Sequence, residues 1–242
     1  MKALQIVIFL LVSLFIQDLS SQTTHKQITG SEECINQFNG YAEKIGIDDL
    51  RLSNDSLRIR IWDAGKLLDF NINGDSIYVQ KIIYILTNPS YKRNPKKGKV
   101  IGKRFEITDV QKELIEEKIV LIGKNNPLGR NIDFRRDSFY MNNSRKINSD
   151  SISPQNLRPI EGGIVQAIEF SDKDNYFFWC SLPPIDSQAG LIIKSIMDDL
   201  DMKNERALFY ENLPKGAWYS FGGTVAIYKM SFWESLFRGF PR

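Results

Sequence analysis

Three runs of alternating side chains between Leu57 and Val79 limit the fold more than any other part of this chain. Leu57, Ile59 and Ile61 alternate with Arg58, Arg60 and Trp62, the period-two pattern of a strand with one apolar face. Asp63-Ala64-Gly65-Lys66 then forms a four-residue turn, and folding there sets Arg60 against Asp69 and Ile59 against Phe70. Asn73-Gly74 is a strong two-residue hairpin signal; folding at that point sets Phe70 against Ile77 and Leu68 against Val79. Both turns place Leu57, Ile59, Ile61, Leu68, Phe70, Ile72, Ile77 and Val79 on one face. A slip of one residue reverses every side chain, so this agreement between two turns is informative. The third strand is expected to reach about Thr87, with a change of phase at Gln80-Lys81 that predicts a bulge.

Helical signals flank this meander. Residues 31–46 offer Ser31 as an N-cap, Glu32 and Glu33 in the first turn, Gly46 as a stop, and a stripe of Cys34, Ile35, Phe38, Ala42 and Ile45. Thr108 and Gln111 have capping-box spacing at the head of a helix over 109–122, although Ile119 to Ile122 also suits a short strand. A second hairpin is expected from Gly163–Phe170 and Tyr176–Leu182. A helix over about 188–200 follows the Pro183-Pro184 break, with Ile192, Ile193, Ile196, Met197 and Leu200 on its buried side. Residues 217–230 suit a final strand or hairpin. The predicted class is α+β, with antiparallel β-meander and hairpins packed against two or three helices.

Ahead of this domain, Met1-Lys2 precedes an apolar run from Ile6 to Ile16 and a small, polar exit at Leu19-Ser20-Ser21. That order of charge, apolar stretch and small residues describes a secretory signal peptide over residues 1–21. The run is eleven residues long, against ~20 for a membrane-spanning helix. Contact with a membrane is therefore expected only if the signal stays uncleaved. Cys34 lies well downstream of the exit, so the expectation is an exported periplasmic or extracellular protein and not a lipoprotein. Residues 22–242 then suit a single α+β domain, with a possible subdivision near 123–160, a stretch rich in Asn, Ser, Arg and Pro. One possible strand lies inside it, near Ile132 to Met141.

Cys34 and Cys180 are the only cysteines. In an oxidising compartment they can pair; alternatively each is a separately buried thiol. His25 is the only histidine and sits near the start of the mature chain. Centres that need an imidazole on a rigid scaffold, and zinc sites with several His or Cys ligands, are therefore not expected. No cofactor or metal is implied. Asp198, Asp199 and Asp201 lack the spacing of a calcium loop, and Gly123-Lys124 and Gly129-Arg130 lack that of a phosphate-binding loop.

Between Ser76 and Phe105 the chain holds eight basic residues and no acid. Lys92, Arg93, Lys96, Lys97 and Lys99 form the densest part, a candidate surface for an anionic ligand or an acidic envelope protein; the alternative is a solvated loop. Nucleic acid is not expected, for want of a reader motif. The second hairpin, paired symmetrically, puts Glu169 beside Phe177 with Trp179 on the same face. That is a carboxylate on an aromatic platform, able to hydrogen-bond a sugar or act as a general acid. The competing reading is a sheet covered on both faces with Glu169 at its rim. The aromatic C-terminus, residues 231–242, suits either a docked helix or an exposed tail. Together these features favour a non-catalytic binding or interaction module of the cell envelope. A metal-independent, glycan-directed hydrolase using carboxylates, or a structural envelope component, stands as the alternative.

Overall fold

The computed structural model describes residues 26–88, 99–128, 166–220 and 227–229. In chain order its elements are β1 (Gln27–Thr29), α1 (Glu32–Ile45), β2 (Leu57–Asp63), β3 (Lys66–Asn73), β4 (Ser76–Asn88), β5 (Lys99–Phe105) and α2 (Asp109–Lys124). They continue with β6 (Gln166–Ser171), β7 (Asn175–Trp179), α3 (Gln188–Asp199), α4 (Met202–Glu211), β8 (Ala217–Ser220) and β9 (Ile227–Lys229). The class is mixed α+β. Residues 1–25, the possible strand at Ile132–Met141 and residues 231–242 lie outside the described residues, as does most of the 123–160 stretch.

The strands form one sheet in the order β1-β7-β6-β2-β3-β4-β8-β9, with β5 also paired to β4. Ile82 of β4 pairs with Leu67 on one side and Arg104 on the other, so β5 lies on the edge of β4 away from β3. The β2–β3 register follows the turn chemistry: Ile59 opposes Phe70 and Arg60 opposes Asp69. Between β3 and β4 the tip is Gly74-Asp75, with Gly74 at φ 59°, and Phe70 opposes Val79 rather than Ile77. This displacement is two residues, so every side chain keeps its face.

Four expectations need correction. The sheet is not purely antiparallel, because β1 runs parallel to β7, with Ile28 opposite Tyr176. The described helices number four, not two or three; α4 was hidden because MKNERALFYE has a weak apolar stripe and buries only Met202. No bulge interrupts β4, whose register with β3 is continuous from Ser76 to Ile83. The phase change has another cause: Lys81 points into the core, where its ammonium donates to Leu200 O at 3.2 Å and to Glu205 Oε1 at 2.7 Å. A cation suits the carbonyl end of α3. Finally, Ile119–Ile122 is helical, and α2 runs two residues beyond the expected 122, with Gly123 packed inside it against Leu57 and Ile72.

Both faces of the sheet are covered. Ile59, Ile61, Leu68, Phe70, Ile168 and Phe170 meet α2 and α3 through Ile115, Ile119, Ile193 and Ile196. The opposite face carries Trp62, Leu67, Ile82, Tyr84, Tyr176 and Phe178, and α1 closes over it. Phe38 of α1 sits 5.2 Å from Trp62 and 5.5 Å from Phe178, centroid to centroid. Each fully buried side chain of this size contributes roughly 1.5–3 kcal/mol. Cys34, one turn before Phe38, forms a disulfide with Cys180, beyond the end of β7, with their Cα atoms 6.1 Å apart. Helix caps follow the sequence at α2, where Thr108 and Gln111 close the capping box, and at α3, where Ser187 Oγ accepts from Gly190 N at 3.0 Å. Ser31 occupies the N-cap of α1 without a side-chain bond, and Gly46 ends that helix at φ 71°.

Candidate functional site

Glu169 is where the sequence and the structure differ most. The β6–β7 pairing sets Glu169 opposite Phe178, Phe170 opposite Phe177 and Ile168 opposite Trp179. This is one residue away from the symmetric fold-back, because the loop is Asp172-Lys173-Asp174, in which Asp172 N bonds Asn175 O and Asp172 Oδ1 accepts from Asp174 N and Asn175 N. The shift moves Phe177 and Trp179 to the α2–α3 face and leaves Glu169 beneath α1. The aromatic platform does not exist. Glu169 is not at a rim either, for it is completely buried.

Its surroundings form a closed charge cluster. Asp69, on β3, accepts from Arg58 Nε at 2.9 Å and Nη2 at 3.0 Å, and from Arg60 Nε at 3.2 Å and Nη2 at 2.9 Å. Arg58 also reaches Asp55 at 3.4 Å, and Arg60 Nη2 donates to Asp48 O at 3.1 Å. Glu169 instead accepts from two neutral donors, Trp62 Nε1 and the Tyr176 hydroxyl, the latter at 2.9 Å. The nearest guanidinium nitrogen, Arg60 Nη1, stands 3.9 Å from Glu169 Oε1, too far for a hydrogen bond. Asp55 and Asp69 already balance the two arginines, so an ionised Glu169 is a surplus buried charge. Burial accordingly pushes the Glu169 carboxyl up from its ordinary value, and the attraction of Arg60 and the bonds from Trp62 and Tyr176 only partly oppose this. Burial, reinforced by the neighbouring Glu169, pushes the Tyr176 phenol up as well.

This arrangement has a pH signature. Because the folded protein holds the Glu169 proton more tightly than the unfolded chain, the penalty is absent below the ordinary value of 4.5. It grows as pH rises from there to the folded value, because the unfolded chain ionises while the folded protein still holds the proton, and it is complete above that value. Compared with Glu169→Gln, the natural protein is expected to lose stability progressively as pH climbs from 4.5. Urea midpoints of both proteins across pH 4–8 check this, and parallel profiles would contradict it.

Lys26 ties the margin of the cluster. Its ammonium donates to Ser171 Oγ at 2.7 Å and Leu50 O at 3.2 Å, while Ser171 Oγ donates to Leu50 O at 2.7 Å. The segment after α1 is thus fastened to β6 by side chains 24 and 121 positions away from Leu50. Partial burial lowers the Lys26 amine despite the pull of Asp172, Asp55 and Asp49.

Among the described residues, two solvent-facing places carry a concentration of cations. The first is β5, where Lys99, Lys103 and Arg104 are exposed. Arg104 Nη2 donates to Gly46 O at 2.8 Å, and Lys103 lies over the Phe105 ring at 4.9 Å. None of the three makes an ion pair among the described residues. Lys92, Arg93, Lys96 and Lys97 lie outside the described residues.

The second is a cleft of about 410 Å³ between the β2–β3 turn, the 182–185 segment, α3 and the start of α4. Sequence reasoning passed over it, because its lining comes from five separated stretches, Gln166 of β6 among them, and no local motif marks it. Of the acidic group at 198–201, Asp199 pairs with Lys118, and Asp201 accepts from Asn204 Nδ2 at 2.7 Å. Among the described residues no group of three or more His, Cys, Asp or Glu is placed to hold a metal. No described helix is long and apolar enough to cross a membrane. Comparisons with protein-family models, curated proteins and solved structures found no match to this chain.

Proposed function

We propose that this chain is an exported, non-catalytic binding module of the cell envelope whose partner presents an anionic surface. The supporting observation is the division of charge. The carboxylates nearest to a catalytic arrangement are enclosed and hydrogen-bonded, whereas the cations of β5 face solvent and make no ion pair among the described residues. Edge strands commonly carry lysines that discourage pairing with other sheets, and on this edge the same charges extend the basic run that begins at Lys92. The Cys34–Cys180 disulfide and the signal-like N-terminus favour an oxidising, exported location. A hydrolase built on Glu169 has no support from this geometry, since substrate has no path to a fully enclosed carboxyl.

Retention of partners from envelope extract by the mature protein is expected to fall sharply between low and high salt, because surface attraction is screened within about 8 Å at physiological ionic strength. The combined variant Lys96→Gln, Lys97→Gln, Lys99→Gln and Lys103→Gln is expected to lose most of the low-salt retention. Binding that ignores both salt and the variant would overturn the proposal.

A further inference from the structure

We infer that the cleft beside the β2–β3 turn is a binding site for a small anionic amphiphile, a carboxylate or phosphate head on an apolar tail. Four cations converge there from separate elements: Lys66 from β3, Lys194 from α3, and Lys203 and Arg206 from α4. Only two acids line it, Asp63 and Asp198. Asp63 is occupied, being ion-paired with Lys66 and accepting from Gln166 Nε2 at 2.8 Å. Lys194 and Lys203 make no ion pair among the described residues. With Lys66 paired to Asp63, Lys194 and Lys203 face one remaining lining acid, Asp198, so the cleft keeps an excess of positive charge.

Apolar side chains line it as well: Ile193 and Met197 of α3, and a wall of Leu182, Pro183 and Ile185 from the segment before that helix. Ile185 is 67% exposed there, a large aliphatic group held in water beside unpaired ammoniums. That wall is held close to the helix: a Cβ on Gly190 would lie 2.0 Å from Pro184 O, so the 182–185 segment packs directly on the backbone of α3. Opposite it, Arg206 Nη1 donates to Ala64 O at 2.9 Å and fixes α4 to the β2–β3 turn. The walls are thus pre-formed, and the volume falls in the range of ~300–1,000 Å³ usual for small-molecule sites. An apolar lining that carries two ammoniums with no ion pair among the described residues suits a ligand with a charged head and an apolar tail. The site is separate from β5, so the two proposals stand or fall independently.

Titration calorimetry of the full mature protein with octanoate, octyl phosphate, octanol and inorganic phosphate tests the inference. Saturable binding of octanoate or octyl phosphate, much weaker binding of octanol and none of phosphate alone is the expected result. Lys194→Gln with Lys203→Gln is expected to weaken the binding about ten-fold or more. Ile185→Ser, on an exposed side chain, is expected to weaken it several-fold without changing thermal unfolding. Equal affinity for inorganic phosphate and octyl phosphate would show that only charge is recognised, and overturn the inference. So would octanol binding as tightly as octanoate, binding unchanged in the lysine variant, or no saturable binding.

Discussion

Asp69→Ala is expected to cost about 3–5 kcal/mol of folding stability, the range for removing one partner of a buried ion pair. The loss is large because one carboxylate serves two arginines: Arg60 is completely enclosed and Arg58 is mostly so. Without Asp69, the Arg60 guanidinium keeps only Asp48 O at 3.1 Å and the distant Glu169. The neighbouring acid cannot take over, since its oxygens are committed to Trp62 and Tyr176. Urea unfolding measures the difference; a loss below about 1 kcal/mol would show that the arginines rehydrate through a loosened α1. Replacing both members, Arg60→Met with Asp69→Leu, is expected to recover a substantial part, because the pair's cost of desolvation disappears with it.

The second large effect concerns the disulfide. Cys34 and Cys180 are 146 positions apart, and closing a loop of that size restricts the unfolded chain by about 5 kcal/mol on the chain-entropy argument. The expected loss for Cys34→Ser with Cys180→Ser is about 2–5 kcal/mol, since measured values usually fall below the entropic figure. The same fall is expected when the natural protein is unfolded with reductant present. The bond also fastens the first turn of α1, the helix whose Phe38 and Tyr41 pack against Trp62 and Tyr84. The double serine variant should therefore show faster exchange of the α1 amides than of the α2 amides. A variant as stable as the natural protein in both measurements would remove the disulfide from the account of stability.

The local part of this fold was legible and the non-local part was not. The β2–β3 register follows from a four-residue turn and a run of alternating side chains, both contained within seventeen positions of sequence. Caps at Thr108 and Ser187 were equally local. Period-two alternation says which side chains share a face, but it does not say whether the second face meets water. Arg58, Arg60 and Trp62 have the look of a solvated face, yet Phe38 of α1 covers Trp62, and the segment after α1 meets the arginines through Asp48 O and Asp55. The pairing of β2 with β6, more than a hundred positions later, has no signature in either strand alone. Without that pairing the meeting of Arg60, Trp62 and Glu169 is invisible, and Glu169 resembles an exposed acid among aromatics. Its true setting turned on one residue of hairpin register, decided by Asp172 bonding the backbone of its own loop. The cleft was illegible for a related reason, since Lys66, Lys194, Lys203 and Arg206 are brought together only by the packing of α3 and α4 on the sheet.

The position of β2 between β3 and β6 also orders events as the chain assembles. The meander of β2, β3 and β4 involves near neighbours and closes early, whereas β6 must return across a long span before it can pair. Until it does, one edge of β2 is bare, and Arg58, Arg60 and Asp69 still have water around them. The ion pair is therefore expected to form while hydrated and to be enclosed afterwards, when β6 delivers Glu169 and α1 settles over the sheet. On that order, desolvation of the charges coincides with the arrival of Phe178 and Tyr176 against Phe38 and Trp62, so a costly burial is coupled to favourable aromatic packing.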